Sequence, residues 1–429
     1  MSEPDDIETH YRQSAFIQEI CVLDRHAVVV PNMALIRKKQ IVNVGDILRF
    51  EVEGLQVGLV SHQHISSYDV WFEPLPRTAT GEIARQEVER IVGERRRAAE
   101  APLAAADQAW LGDPHAAAAV AVMLPRLRAG ARIAPGANLE IDLGLDSVDR
   151  VELLVDLEHR FGVQVPATAA SEIFTVRQLV DAVRPKGELN GLPSREDVSW
   201  PAMLEDLPDS DPILSGLLER KPFAAPILYV AARVLRLLCR VNVSGLEHLP
   251  ASGPFLVCPN HQSYLDPLFV CGALPYCVFR RLFFIGAVEY FETPLTKWAA
   301  RTVNLLPVDP DSNLLPAMKA CAFGLRHGKV LLLFPEGERS IDGTVKKFKK
   351  GAPILARHLG APIVPLALKG IYELWPRNRT LNWRVLWPWS GHRFTVAFGP
   401  PMTVGGSESD SEAALRLRDR VDEMWRAKR

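Results

Sequence analysis

The stretch PFLVCPNHQSYLDP, residues 254–267, begins with a short apolar run that ends at Cys258 and gives way to a polar turn. Four to eight apolar residues bounded by turn signals read as a buried strand, and a polar turn after it carries the chain toward a helix. Downstream, KVLLLF (329–334), APIVPLAL (361–368) and RFTVAF (393–398) repeat the apolar run, with helical spacing between them. That alternation predicts an α/β domain over residues 222–429. His261 and Asp266 lie five positions apart in the opening stretch. The imidazole is either a buried ring satisfied by a nearby carbonyl or a base oriented by a carboxylate that curls back from the next helical turn. On this stretch alone the structural reading leads.

A second segment reverses that order. KVLLLFPEGERSIDGTVKKFKKGA, residues 329–352, runs from a strand into Pro335-Glu336-Gly337, then Arg339 and four lysines between Lys346 and Lys350. A strand that empties into a loop with an acid, a glycine and clustered cations is suited to an anionic ligand. The bland alternative for KKFKK is a solvated basic face anchored by a buried Phe348.

Working outward, the chain has 429 residues, 48% of them hydrophobic, enough for about three domains on the usual size of 100–200 residues each. Its 50 basic and 51 acidic residues leave a formal charge of -1, so no bulk positive charge points to nucleic acid. The six cysteines are scattered without CxxC pairs or paired histidines; they read as reduced thiols, and no metal is expected. The polar start MSEPDDIETHYRQ is unlike a signal peptide, and no run reaches the roughly 20 apolar residues of a spanning helix. A cytoplasmic chain is expected. PFAAPILYVAA (222–232), continued by Arg233, Arg236 and Arg240, suits either a core helix or a helix lying in a membrane interface. The tryptophans of LNWRVLWPWS (381–390) favour the interface, hence a peripheral position on the inner face of the membrane.

Two further blocks precede the α/β domain. Residues 8–92 alternate apolar and polar positions before a charged helix, as expected of a small α+β module. Residues 112–186 have helical spacing and read as a helical bundle, and the Gly, Pro, Ser and charged residues of 187–221 read as a linker. The fold class is therefore multidomain. Within the bundle, LGLDSVDRVELLVDLEHRFG (143–162) makes Asp146 an N-cap and places Ser147 in the first turn of an amphipathic helix. Seven acids between Glu140 and Glu158 face only Arg150; they form either a solvated face or a docking surface for basic partners.

The pattern IDLGLDSVDRVEL (141–153) resembles the acyl carrier protein family, in which the serine of such a motif bears a 4'-phosphopantetheine arm. The resemblance implies that Ser147 is the attachment point and that a phosphopantetheinyl transferase is a partner. NHQSYLD and FPEGERS together resemble the glycerolipid acyltransferase family that includes bacterial lysophosphatidic acid acyltransferases, with its NHxxxxD and FPEGxxS hallmarks. By that resemblance His261 is the general base, Asp266 its orienting partner, and Glu336, Gly337 and Arg339 bind a lysophospholipid acceptor, expected to be 1-acyl-glycerol-3-phosphate. The donor is an acyl thioester on the chain's own carrier, or acyl-CoA. Where that family's second motif usually offers an arginine, this chain reads NLLPVDPDSN (304–313); Arg301, Arg339 and Lys346 are the available substitutes.

PLPRTATGEIARQEV (74–88) resembles the end of an acyl-adenylate-forming ligase, where the family shows PxTxxGK, and FIQEICVLDRHAVVVP (16–31) fits that ligase's small C-terminal subdomain. Glu82 stands in place of the family's catalytic lysine, and a carboxylate cannot bridge two anionic groups as a lysine cation does. With no large ATP-binding portion before it, the module is expected to be a remnant: a docking platform for the carrier, or a partner for a separate ligase subunit. A carrier and scaffold protein with an inactive transferase domain is the competing reading, and the intact His261, Asp266 and Glu336 argue against it.

Overall fold

A computed structural model describes residues 3–38, 44–56, 63–100, 103–127, 131–166, 173–184, 224–286, 304–307, 314–376, 380–387 and 390–427, with single positions at 59, 169, 200, 204 and 217. The expected linker, Arg301 and residues 308–313 lie outside or almost wholly outside them. The chain divides into two compact units, Met1–Val198 and Ser199–Arg429.

In the first unit, helix α1 (Glu3–Tyr11) leads into an antiparallel hairpin, β1 (Ile17–Leu23) and β2 (His26–Pro31). Asp24 turns that hairpin in the left-handed region, which its short polar side chain tolerates. Helices α2 (Met33–Lys38) and α3 (Val44–Gln56) follow, then β3 (Ser67–Val70), parallel to β2, and α4 (Arg85–Glu100). The period-2 pattern explains two cores. Ile20, Val22, Ala27 and Val29 face one way, with Tyr11 and Leu48; Cys21, Val28 and Val30 face the other, with Trp71, Val88 and Val92.

The helical block of the same unit comprises α5 (Ala105–Leu111), α6 (Pro114–Met123), α7 (Ser147–Phe161) and α8 (Val176–Ala182). Leu153, Leu157 and Phe161 of α7 pack with Ala116, Ala119, Met123, Leu179 and Val180 in a third core. The start of α7 is strongly specified: Asp146 accepts from the amides of Val148 and Asp149, and Asp149 returns a bond to the Asp146 amide. Gly162, in the left-handed conformation, ends it.

Each of the seven acids has a partner here, and of these only the N-cap role of Asp146 was expected from the sequence. Asp142 accepts from the Asn138 amide, Asp146 and Asp149 form the capping box, and Glu158 accepts from Val165. Glu152 and Asp156 pair with Arg126, at 3.9 and 2.5 Å. Glu140 accepts from the Gly45 and Asp46 amides of α3.

In the second unit, α9 (Ala224–Leu238) precedes a seven-stranded sheet made of β4 (Asn242–Ser244), β5 (Phe255–Pro259), β6 (Leu282–Gly286), β7 (Leu305–Pro307), β8 (Val330–Leu332), β9 (Ile363–Lys369) and β10 (Thr395–Phe398). Its order is β4-β10-β9-β5-β8-β6-β7, parallel throughout except for the antiparallel β9–β10 pair. Among the described residues, helices α10 (Asp266–Ala273), α11 (Tyr276–Phe279), α12 (Leu314–Arg326), α13 (Gly351–Leu359) and α14 (Asp410–Arg426) accompany the sheet. The α/β architecture expected from alternating runs is thus present.

The central strand β5 is buried at all five residues, as expected of a parallel strand covered on both faces. Just past its end, Asn260 donates to the Leu368 carbonyl and accepts from the Leu368 amide, pinning the turn to β9. Helix α9 divides the two sequence alternatives between its faces. Ala232 belongs to the core against α10, while Ile227, Val230, Val234, Leu237 and Leu238 are exposed.

Candidate functional site

Residue 261 lies two positions past β5, at the carboxyl end of a central parallel strand, where open α/β sheets place ligand sites. The turn 260–265 brings the chain round so that Asp266 is the first residue of α10. Its carboxylate curls back and Oδ2 accepts three bonds: from the Gln262 amide at 2.5 Å, from the Ser263 amide at 2.8 Å, and from His261 Nδ1 at 2.8 Å. Because a carboxylate oxygen holding two amide donors is an acceptor, Nδ1 carries the proton and Nε2 presents its lone pair. Among the described residues Nε2 makes no hydrogen bond. Asp266 is fully buried, whereas the His261 side chain keeps 16% of its surface open.

Burial is the largest influence on the His261 ring and lowers its pKa; Asp266 opposes this, and the Arg339 charge adds to the lowering. The free imidazole is therefore the resting form near neutral pH, which is the form that accepts a proton. Phe334 stacks on the ring with centroids 4.0 Å apart and fixes its plane.

The second motif meets the first through the backbone. Glu336 Oε1 accepts from the His261 amide at 3.1 Å, and the His261 carbonyl accepts from the Ser340 amide at 2.7 Å. Gly337 adopts φ +77°, and a Cβ there would lie 2.9 Å from the Lys349 side chain, so the turn requires glycine. The Arg339 guanidinium lies over the Tyr264 ring, 3.6 Å from its centroid. The basic run is partly absorbed: Lys346 pairs with Asp342 at 2.9 Å, and Phe348 is the buried anchor expected of it. Cys258 is buried, and burial raises its thiol pKa far above neutrality, so it is core rather than nucleophile.

Sequence reasoning missed the state of Glu336. Only 4% exposed, with Oε2 unpartnered, it has its pKa pushed up to about 8, chiefly by burial. It is thus mainly neutral at pH 7. A carboxyl whose folded pKa lies above its unfolded value binds more protons when folded, so stability falls as pH rises from about 4.5 to about 8. Urea denaturation of wild type and Glu336→Gln at pH 5 and pH 8 is expected to show a gap that widens in the variant's favour by roughly 3–5 kcal/mol at the higher pH. An equal gap at both values would refute the buried neutral acid.

Ser147 lies at the other candidate site, as the first residue of α7. Leu145 and Val148 on either side are buried in this unit, and the capping box fixes the backbone where the helix begins. A serine at the start of a 15-residue helix fits a phosphodiester attachment, since anions are favoured at the positive end of the helix. Glu82, at the lysine position of the ligase-like motif, is exposed on a tight loop closed by Thr78, whose amide donates to the Glu82 carbonyl. Among the described residues no cluster of three or more acids, histidines or cysteines could hold a metal ion, and no helix is long and apolar enough to cross a membrane.

Known proteins resemble two segments of the chain. Residues 240–369 match the family model described as Acyltransferase, and residues 118–183 match that of the phosphopantetheine attachment site. The chloroplastic 1-acyl-sn-glycerol-3-phosphate acyltransferase of Arabidopsis thaliana is 35% identical over 141 residues, covering 32% of this chain and 38% of that protein. The 1-acyl-sn-glycerol-3-phosphate acyltransferase of Pseudomonas aeruginosa is 28% identical over 182 residues, covering 42% of this chain and 65% of that protein. Among solved structures, the 1-acyl-sn-glycerophosphate acyltransferase PlsC from Thermotoga maritima superposes with a TM-score of 0.41 at 23% identity, covering 50% of this chain and 85% of that one. The chain spans only 38% and 39% of the length of the plant relatives it matches. A carrier-type segment and an acyltransferase-type segment therefore stand in one chain.

Proposed function

We propose that this chain transfers an acyl group from a pantetheine thioester to the hydroxyl of a lysophospholipid, with 1-acyl-glycerol-3-phosphate as the acceptor. The observation that carries the reading is the His261–Asp266 pair, held beside the FPEGERS loop with Nε2 free of partners among the described residues. His261 accepts the proton of the acceptor hydroxyl as that oxygen attacks the thioester carbonyl. The imidazolium so formed is stabilised by Asp266, and its proton passes to the departing thiolate. Asp266 also holds the ring's tautomer and orientation.

Glu336, Gly337 and Arg339 form the acceptor side. A Glu336 that is neutral at pH 7 does not repel a phosphate, and Arg339 supplies positive charge next to Tyr264. The domains read as a ligase-like module (8–92), a carrier (112–186), a linker (187–221) and the transferase (222–429). Ser147 carries the 4'-phosphopantetheine, attached by a phosphopantetheinyl transferase; that group supplies the thioester. Acyl-CoA is the alternative donor, and a separate acyl-ligase subunit is the candidate for loading. Exposed Ile227, Leu237 and Leu238 on α9, with Trp383 and Trp387, form the apolar face of a peripheral membrane contact on the inner leaflet.

The test is a chain pantetheinylated and acylated at Ser147, mixed with vesicles that contain lysophosphatidate. Mass spectrometry should show the acyl group leaving the protein as phosphatidate appears, and the protein should pellet with the vesicles. An acyl group retained in the presence of lysophosphatidate, with acyl-CoA equally unreactive, would overturn the assignment.

A further inference from the structure

The N-terminal module and the helical block share one unit, and their contact is built from both sides. Glu140 precedes α7 by one loop, and both its oxygens are engaged: Oε2 accepts from the Gly45 amide and Oε1 from the Asp46 amide, each at 3.0 Å. These two amides open α3, where intrahelical acceptors are lacking. A carboxylate from 95 residues away in the sequence thus does the work that a local N-cap would do.

The module is shaped to receive it. A Cβ on Gly45 would lie 2.9 Å from Glu140 Oε1, so glycine leaves the room the carboxylate occupies. Phe174, from the segment before α8, is 7% exposed and packs in the module's core with Val44, Leu48 and Ile65 rather than in the helical block's own core. Behind the contact the two pieces are tied together. The Phe174 carbonyl accepts from the Leu139 amide at 2.9 Å, and buried Arg150 of α7 donates to the Ile173 carbonyl. Arg150 is also the cation whose charge acts on Glu140. The contact therefore connects to the helix that begins at Ser147.

We propose that the N-terminal module is a dedicated holder for this chain's own carrier-type block, closed by Glu140 on the amides of α3 and by Phe174 in the module's core. The module carries Ser147 with it as a preset body. A ligase-like subdomain without its lysine thereby keeps a use that needs no catalysis. This does not depend on the acyl transfer proposed above, since the contact is read directly.

Amide hydrogen exchange on the full chain tests it. In wild type the Gly45 and Asp46 amides should be protected, and Glu140→Ala should speed their exchange about fivefold or more, the size of a lost helix cap. Gly45→Ala, which displaces the carboxylate from the other side, should do the same at Asp46. The amides of β1 and β2 should stay unchanged in both variants. Equal exchange at these amides in wild type and in both variants, or a rise shared equally by β1 and β2, would overturn the proposal.

Discussion

Replacing His261 with alanine is expected to lower acyl transfer to lysophosphatidate by about 10²–10⁴-fold, the usual contribution of a general base. The loss should fall on the rate of transfer, with vesicle binding unchanged, because α9 and the exposed tryptophans are untouched. His261→Gln keeps a hydrogen-bonding side chain but no base, and should be as inactive. The pH profile of wild type should rise through the histidine's pKa, which burial places below 6.5, and run flat across neutrality. Measuring initial rates of phosphatidate formation from acyl-CoA checks both points. A His261→Ala enzyme within tenfold of wild type would remove the base from the mechanism.

The second large effect concerns the donor. Ser147→Ala should abolish the mass increase of pantetheinylation and with it all transfer from the chain's own thioester, while transfer from saturating acyl-CoA remains within about twofold. At low micromolar donor the contrast should be greatest, since a tethered donor acts at an effective concentration of about a millimolar when its tether spans the distance. The acylated wild type should then discharge on the order of 10²-fold faster than Ser147→Ala turns over the same concentration of acyl-CoA. Equal rates would show that the fused carrier serves another reaction.

Much of the site was legible because its parts are local. His261 and Asp266 are five residues apart, and the turn leading into α10 is enough to place the carboxylate within reach of the ring. The capping box that sets Ser147 lies within four residues, Asp146 to Asp149. The parallel sheet was legible for a related reason: strands buried on both faces need nearly continuous apolar runs, and such runs stand out in PFLVC and APIVPLAL. The acids around α7 were misleading for the opposite reason. Composition counts charge, but partners such as Arg126 and the α3 amides come from segments with no sequence signal linking them to Glu140, Glu152 or Asp156.

The sequence by itself determined which residue types were available and which short-range pairs could form: a histidine with its carboxylate, a serine at a helix start, an acid and a glycine after a strand. The tertiary structure decided the states of those residues. Glu336 lies 75 positions from His261, yet its contact with the His261 amide and its burial make it a neutral acid near pH 7. Phe334 sets the plane of the ring, and Glu140 closes a helix 95 residues away. Burial and electrostatic environment are sums over many distant segments, so they exist only once those segments have packed.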